Sequence, residues 1–392
     1  LFPATKEDVA VEKDLDIAYR CAPVIVQKVN DDNPRGDFIA RVDFTDPGNL
    51  ASLTRNWGAV NDPVKGEAQW KEILDKKRVP PFTHKLLPHV YYSVVETHTH
   101  YFIMYAVYHP QDWESSETPW RRNGPKWKLT EHEHDMEGAL VIAANRGPIE
   151  KLRPDAMITI SHWWFYSYAN WKIADEDRKE KLLYGGRWAR ENRYTGSRVN
   201  KENLDGNLWA IWHVDEEGEE VIRPKLYVQA KGHGIRGDQE KWGGGDRIIR
   251  YCPSREKADE PSLFEAGSPK PRVQLYHKFS LKGNKRKLVK KDVYRYKLIN
   301  VFEPGQGLWA NKNNRKVFLV DDKGQDCFVA HEDAGVEKLV PGKAKPPWSW
   351  DDCDDAHADG ELALQPAHIV YNYLGGMREF SFEYKRNAYL GI

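Results

Sequence analysis

From Pro88 onward the chain keeps returning to one pattern: short stretches dense in Tyr, Val and Ile, each closed by residues that end strands. β-branched and aromatic side chains fit a pleated, half-buried surface, whereas Gly, Pro, Asp and Asn interrupt it. Residues 89–96, 100–109, 137–144 and 157–168 read as strands on this basis, and 208–214, 225–231 and 378–384 as further ones. Helices are few. Residues 66–77 place Trp70, Ile73 and Leu74 on one face, and 175–192 look helical with an interruption at Gly185 and Gly186. The glycine run 243–245 is a turn without the flanks of a phosphate-cradling loop, and the basic stretch 280–297 reads as a solvated loop or a Lys-protected edge strand. The alternating strand–helix order of a doubly wound fold is missing, as are repeats and low-complexity linkers. The expected fold is mainly β: an antiparallel β-sandwich decorated with a few helices and long loops. One domain is expected, with a core at 88–240, an N-terminal extension at 1–87 and a C-terminal extension at 241–392.

Composition narrows the function classes. The 392 residues include 59 Lys plus Arg and 59 Asp plus Glu, so the formal net charge is zero. A nucleic-acid binder held by bulk charge would carry a basic excess, so no nucleic-acid partner is expected. No apolar run approaches the roughly 20 residues of a membrane helix, which leaves open only peripheral contact with a membrane surface. There are 15 Trp and 19 Tyr against 4 Met. These aromatics suit a β core, a sugar platform or a membrane interface. The four cysteines, Cys21, Cys252, Cys327 and Cys353, form no C-x-x-C pair, which argues against a zinc ribbon or a thioredoxin-type site. Two disulfides have three possible connectivities, and Cys327–Cys353 is the preferred pair because the two flank a loop-like stretch. The chain starts at Leu1 without a charged-then-apolar leader, which reads as a processed, secreted chain, although it has no N-glycosylation sequon. A monomer is expected.

Ligand-type side chains are densest between His98 and Glu137. The blocks are His98-Thr99-His100, Tyr108-His109-Pro110-Gln111-Asp112, and Glu131-His132-Glu133-His134-Asp135-Met136-Glu137-Gly138. In a strand that starts near Asp135, Asp135 and Glu137 share a face. His132 comes from the segment before it, and Asp112 lies just past the end of the preceding strand. One imidazole and three carboxylates would repel each other when empty, and a divalent cation resolves that repulsion. Oxygen-rich ligation favours Ca, Mg or Mn over Zn. His98 and His100, on one strand face, are a second nitrogen-rich possibility. His233 sits between Gly232 and Gly234, where a turn would expose its ring.

The block 101–112 followed by His132-Glu133-His134-Asp135-Met136-Glu137 resembles the core of the necrosis- and ethylene-inducing-peptide-like proteins. Their signature is a tyrosine-rich strand ending in Pro-Lys-Asp, then Gly-His-Arg-His-Asp-Trp-Glu. A vacuolar-sorting-associated family carries a related motif, with a later stretch similar to Pro224 through Gly234. The resemblance spans about residues 88–240. It implies a secreted β-sandwich with a surface cation held by Asp112, His132, Asp135 and Glu137, engaging sphingolipid sugar head groups at plant membranes. The chain departs from the pattern at Gln111, Glu131 and Met136, and residues 113–131 separate the two blocks where the family has a short loop.

Three functions follow as expectations. The first is a secreted, cation-dependent binder of glycan or lipid head groups, or a cytolysin. The second is a metal-dependent hydrolase of phosphodiester or glycan substrates, with a metal-activated water and His134, His100 or His233 as general acid or base. The third is a purely structural cation.

Overall fold

The computed structural model describes residues 6–29, 36–44, 86–112, 132–161, 164–169, 206–207, 210–214, 218, 220–237, 247–259, 272–277, 287–314, 317–318, 344–350, 360–369 and 380–392. A helix, α1 (Lys6–Cys21), leads into β1 (Val24–Val29). Then come β2 (His89–Thr97), β3 (His100–Asp112), β4 (His132–Ala144), β5 (Pro154–Ser161), β6 (Trp164–Ala169) and β7 (Gly206–Asn207). They are followed by β8 (Ala210–Val214), β9 (Glu220–Val228), β10 (Ile235–Arg236), β11 (Arg247–Ser254), β12 (Arg272–His277), β13 (Lys287–Asp292) and β14 (Tyr294–Asn300). A one-turn helix, α2 (Glu361–Leu364), and β15 (Tyr384–Arg386) complete the described elements.

The strands expected at 89–96, 100–109 and 137–144 are present as β2, β3 and β4. The stretch 157–168 is two strands rather than one: β5 and β6 pair antiparallel, with Ser161 opposite Trp164. The run has no Gly, Pro, Asn or Asp to signal so tight a reversal. The C-terminal strand begins later than expected, at Tyr384. The helices read at 66–77 and 175–192, the turn at 243–245, and both Cys327 and Cys353 lie outside the described residues.

The fold is mainly β with few helices, but the sheet is mixed. Strands β2 to β6 form an antiparallel meander. Four pairings are parallel: β1–β9, β11–β14, β14–β2 and β6–β7. Two stacked antiparallel sheets are therefore not what forms. The ten strands β9-β1-β11-β14-β2-β3-β4-β5-β6-β7 run as one sheet. It curls until β10, paired on β9, packs against β5, and so comes close to a closed barrel. Turn signals report only on neighbouring segments. Parallel pairs need long crossovers, which leave no local trace.

Both faces of the central meander are covered, and all nine residues of β2 are buried. Alternation along β3 sets Tyr101, Ile103, Tyr105, Val107 and His109 on one face and Phe102, Met104, Ala106 and Tyr108 on the other. Helix α1 lies on the first face, with the Lys13 ammonium 5.6 Å from the Tyr101 ring centre. The second face meets Phe380, whose ring centre is 4.5 Å from that of His100. It also meets Trp350, packed so tightly on Gly138 that an added Cβ would lie 2.3 Å from the indole.

The last turn of a helix leaves carbonyls without intrahelical donors, and buried ones need partners from elsewhere. Here the sheet provides them. Tyr105 donates to Ala18 O (2.7 Å), Tyr296 to Pro23 O (2.7 Å), and the fully buried Arg223 guanidinium to Tyr19 O and Ala22 O. Tyr105 and Tyr296 thus serve twice, each ring filling the core while its hydroxyl answers a buried carbonyl. Tyr105→Phe keeps the packing and removes one such donor. It should cost about 1–3 kcal/mol in denaturant unfolding. A cost near zero would mean that another group satisfies the Ala18 carbonyl.

Candidate metal centre

Three segments distant in sequence meet beside the face of β3 that carries His109. Cross-strand register places His109 opposite Asp135 of β4. The β9–β10 hairpin contributes residues 229–234, and the stretch 36–44 lies along the chain near β3, with Ala40 N donating to Tyr108 O (3.0 Å). His233 is the hub. Its Nδ1 is 2.7 Å from Asp135 Oδ2, and its Nε2 is 3.1 Å from Asp37 Oδ1. Backbone amides fix both carboxylates: Lys231 N donates to Asp37 Oδ1 (2.7 Å) and Met136 N to Asp135 Oδ1 (2.9 Å). The His109 ring stacks on His233, with centres 3.7 Å apart and planes 4° from parallel.

Backbone conformation marks the same place. Among the described residues, the non-glycine positions with positive φ are His134 (60°), Lys231 (71°) and His233 (51°). His134 precedes Asp135, Lys231 holds Asp37, and His233 is the hub itself. The left-handed region costs a side-chain-bearing residue about 1–2 kcal/mol, and such outliers persist where the surroundings over-determine them. Here the two carboxylates hold the hairpin loop in this shape.

The electrostatics follow from burial and pairing. Burial by itself would lower the pKa of His233. Its hydrogen bonds to Asp135 and Asp37, together with their charges, outweigh that and raise it to about 9. His233 is therefore an imidazolium at neutral pH. Burial pushes His109 well below the ordinary histidine value, and the His233 charge adds to the shift, so His109 is neutral. Burial also lowers His89, at the start of β2, to about 4.

His109, Asp135 and His233 each offer a ligand atom, and the three atoms lie within 4.8 Å of one another. Two of them, Asp135 and His233, are residues the sequence singles out, although the His233 ring is fully buried rather than exposed by its turn. Glu137 sits two residues beyond Asp135 on β4, buried and in register with Val107. The backbone register pairs Asp112 with His132, whose side chain lies outside the described set. His134 is joined to Tyr108 by a 2.6 Å hydrogen bond on the opposite face of β4 from Asp135. His100 lies at the far end of β3 from His109, bonded to Thr99 Oγ1 (2.8 Å). His98 and His100 do not share a strand face: His98 is in the β2–β3 turn, exposed, with Glu383 3.5 Å away. Sequence reading missed Asp37, Gln27 and the place of His109 in the cluster. His109 falls inside one of the quoted blocks, but it reads there as a strand residue.

The fold and site together define a curled, mixed β sheet around a buried imidazole–carboxylate cluster with the donor types of a metal site. The chain has distant structural similarity to necrosis- and ethylene-inducing-peptide toxin-fold proteins. A structure described as the crystal structure of the non-toxic HaNLP3 protein aligns at 25% identity over 22% of this chain and 34% of its own, with a TM-score of 0.16. Another, described as a toxin fold for microbial attack and plant defense, aligns at 14% identity over 38% of this chain and 44% of its own, with a TM-score of 0.18. The chain thus spans less than half the length of either. No protein-family model and no curated protein matches it.

The three histidines predict a stability profile with two limbs. His89, lowered to about 4, contributes stability that is present above about pH 6.5 and lost as the pH falls through 4, and the depressed His109 acts in the same direction. His233, raised to about 9, contributes stability that is full below about 6.5 and lost as the pH rises through 9. Thermal unfolding across pH should peak near 6.5, and His233→Gln should flatten the alkaline limb while also softening the acid limb, because the His233 charge contributes to the depression of His109. An alkaline limb unchanged in that variant would show that His233 is not the group responsible.

Proposed function

We propose that this is a secreted protein that uses a divalent cation, held at Asp135, to engage glycan or lipid head groups at a cell surface, in the manner of a cytolysin. The observation carrying this reading is the convergence of His109, Asp135 and His233, three ligand atoms within 4.8 Å of one another. Asp135 is common to this cluster and to the motif set Asp112, His132, Asp135 and Glu137, which by itself would form an oxygen-rich site for Ca, Mg or Mn. It is also the member that reaches solvent. Its side chain is 11% exposed, against 0% for His233 and Asp37, so a head group would approach from its side. The hydrolase reading has weaker support, because His134 and His100 lie away from the cluster and both nitrogens of His233 are engaged. Among the described residues no helix is long and apolar enough to cross a membrane.

The deciding experiment incubates the purified full chain with a glycan array and with vesicles containing glycosylated sphingolipid, with and without chelator. Binding lost on chelation and in Asp135→Asn, with no turnover of phosphodiester or glycoside substrates, is the expected result. Chelator-sensitive turnover would select the hydrolase instead, and binding indifferent to chelator would remove the cation from the function.

Secretion carries its own test. Cys21 and Cys252 are buried free thiols, each pushed up to about 12 by burial against the opposing charge of Arg223. With Cys327 and Cys353 bridged, alkylation of the unfolded, unreduced protein should modify Cys21 and Cys252 alone. Modification of all four would refute the bridge.

A further inference from the structure

The cluster's least explained atom is on His109. Gln27, on β1, is fully buried, and its amide nitrogen donates to Lys28 O (2.9 Å) and Gln229 O (3.0 Å). Flipping the amide would set its oxygen against two carbonyl oxygens, so the orientation is fixed. Gln27 Oε1 must then face His109 Nε2, 3.0 Å away, and that nitrogen must carry the hydrogen. The tautomer follows. Nδ1 of a neutral His109 holds a bare lone pair. It is fully buried and has no hydrogen-bond partner among the described residues.

A buried lone pair without a donor costs roughly 1–3 kcal/mol and calls for an explanation. Two arrangements beside it indicate what it is for. Metal-ligating imidazoles bind through one nitrogen while the other donates to a carbonyl or carboxylate that fixes the ring. His109 has that outer partner in Gln27 Oε1, and His233 has it in Asp37 Oδ1. The remaining donor atoms are His109 Nδ1, His233 Nδ1 and an Asp135 oxygen.

We propose that His109, His233 and Asp135 form a nitrogen-rich site for a first-row transition cation, zinc foremost, with Gln27 and Asp37 as its orienting partners. This rests on the reading of a cation at Asp135 and goes beyond it by assigning ligands and metal class. Two imidazoles and one carboxylate are the donor set of zinc and its neighbours, whereas calcium and magnesium take oxygen. The cation takes the position of the proton between His233 Nδ1 and Asp135 Oδ2. Metal–ligand bonds of about 2.0–2.2 Å separate tetrahedral ligand atoms by about 3.3 Å. The 2.7 Å contact therefore opens slightly, and His109 tilts out of the stack to turn its Nδ1 toward the cation. A fourth position stays available to water or an oxygen ligand entering past Asp135.

The test uses the chelator-stripped full chain and cobalt as the probe. One equivalent of Co(II) should give visible absorption of nitrogen-ligated, low-coordinate cobalt. Zinc should displace it stoichiometrically, and a thousandfold excess of calcium or magnesium should not. His109→Phe, which fills the same space, should abolish the cobalt spectrum while circular dichroism stays unchanged. Gln27→Leu should weaken binding about 10–100-fold at unchanged stoichiometry, because it removes only the orienting acceptor. If His109→Phe fails to fold, His109→Gln replaces it, with the same expected loss of the spectrum. A cation that calcium or magnesium displaces, or that is lost in Asp112→Asn or Glu137→Gln but kept in the His109 variants, overturns the nitrogen-rich assignment and leaves the cation-dependent function standing. A folded chain that takes up no metal overturns both.

Discussion

The cationic imidazole of His233, held between Asp135 and Asp37, is the interaction on which this end of the molecule depends. Buried charges are tolerated when paired and hydrogen-bonded, and removing one partner strands the others. Here a single ring satisfies carboxylates from two segments that are far apart in sequence, the stretch 36–44 and β4. It does so from a hairpin loop whose backbone would not choose its conformation alone. The left-handed residues at Lys231 and His233 exist because the ion pairs hold them there. Gln229, in the same loop, completes the connection through Gln27 to β1.

Further along the same sheet face, the buried groups to be satisfied are backbone carbonyls rather than carboxylates. The C-terminal turn of α1 brings backbone carbonyls into the core, and Tyr105, Tyr296 and Arg223 reach them from three different strands. Buried polar groups at one end are thus answered by tyrosine hydroxyls and a guanidinium, and at the other by imidazole, carboxylate and amide. On this face of β3 the buried Val107 lies between Tyr105 and His109.

The pleat sorts the histidines and so discriminates between chemical readings. His109 and Asp135 are cross-strand neighbours on one face, while Tyr108 and His134 are bonded on the other. A one-residue step along a strand reverses the direction of a side chain. The dense string from His132 to Glu137 therefore divides between two environments, and its density overstates what any single cation can reach. Two members of the cluster, His109 and His233, lie outside that string, His233 about a hundred residues further on.

What the sequence determined by itself was local. The β-branched and aromatic runs of β2, β3 and β4 declared their strands, and the Asp135 block and the glycine-flanked His233 declared residues with chemistry to offer. Local steric preference and period-two alternation are enough for that. Only the tertiary structure decided that β1 inserts between β9 and β11, that β14 pairs in parallel with β2, and that the sheet curls instead of splitting into two layers. It alone put Gln27, Asp37 and His109 around Asp135 and His233. The physical reason is separation along the chain. Asp37 meets His233 across nearly two hundred residues, and Gln27 meets His109 across more than eighty. Such contacts are fixed by which strands pair, and by the requirement that every buried charge find a partner, and neither constraint is written in the neighbouring residues.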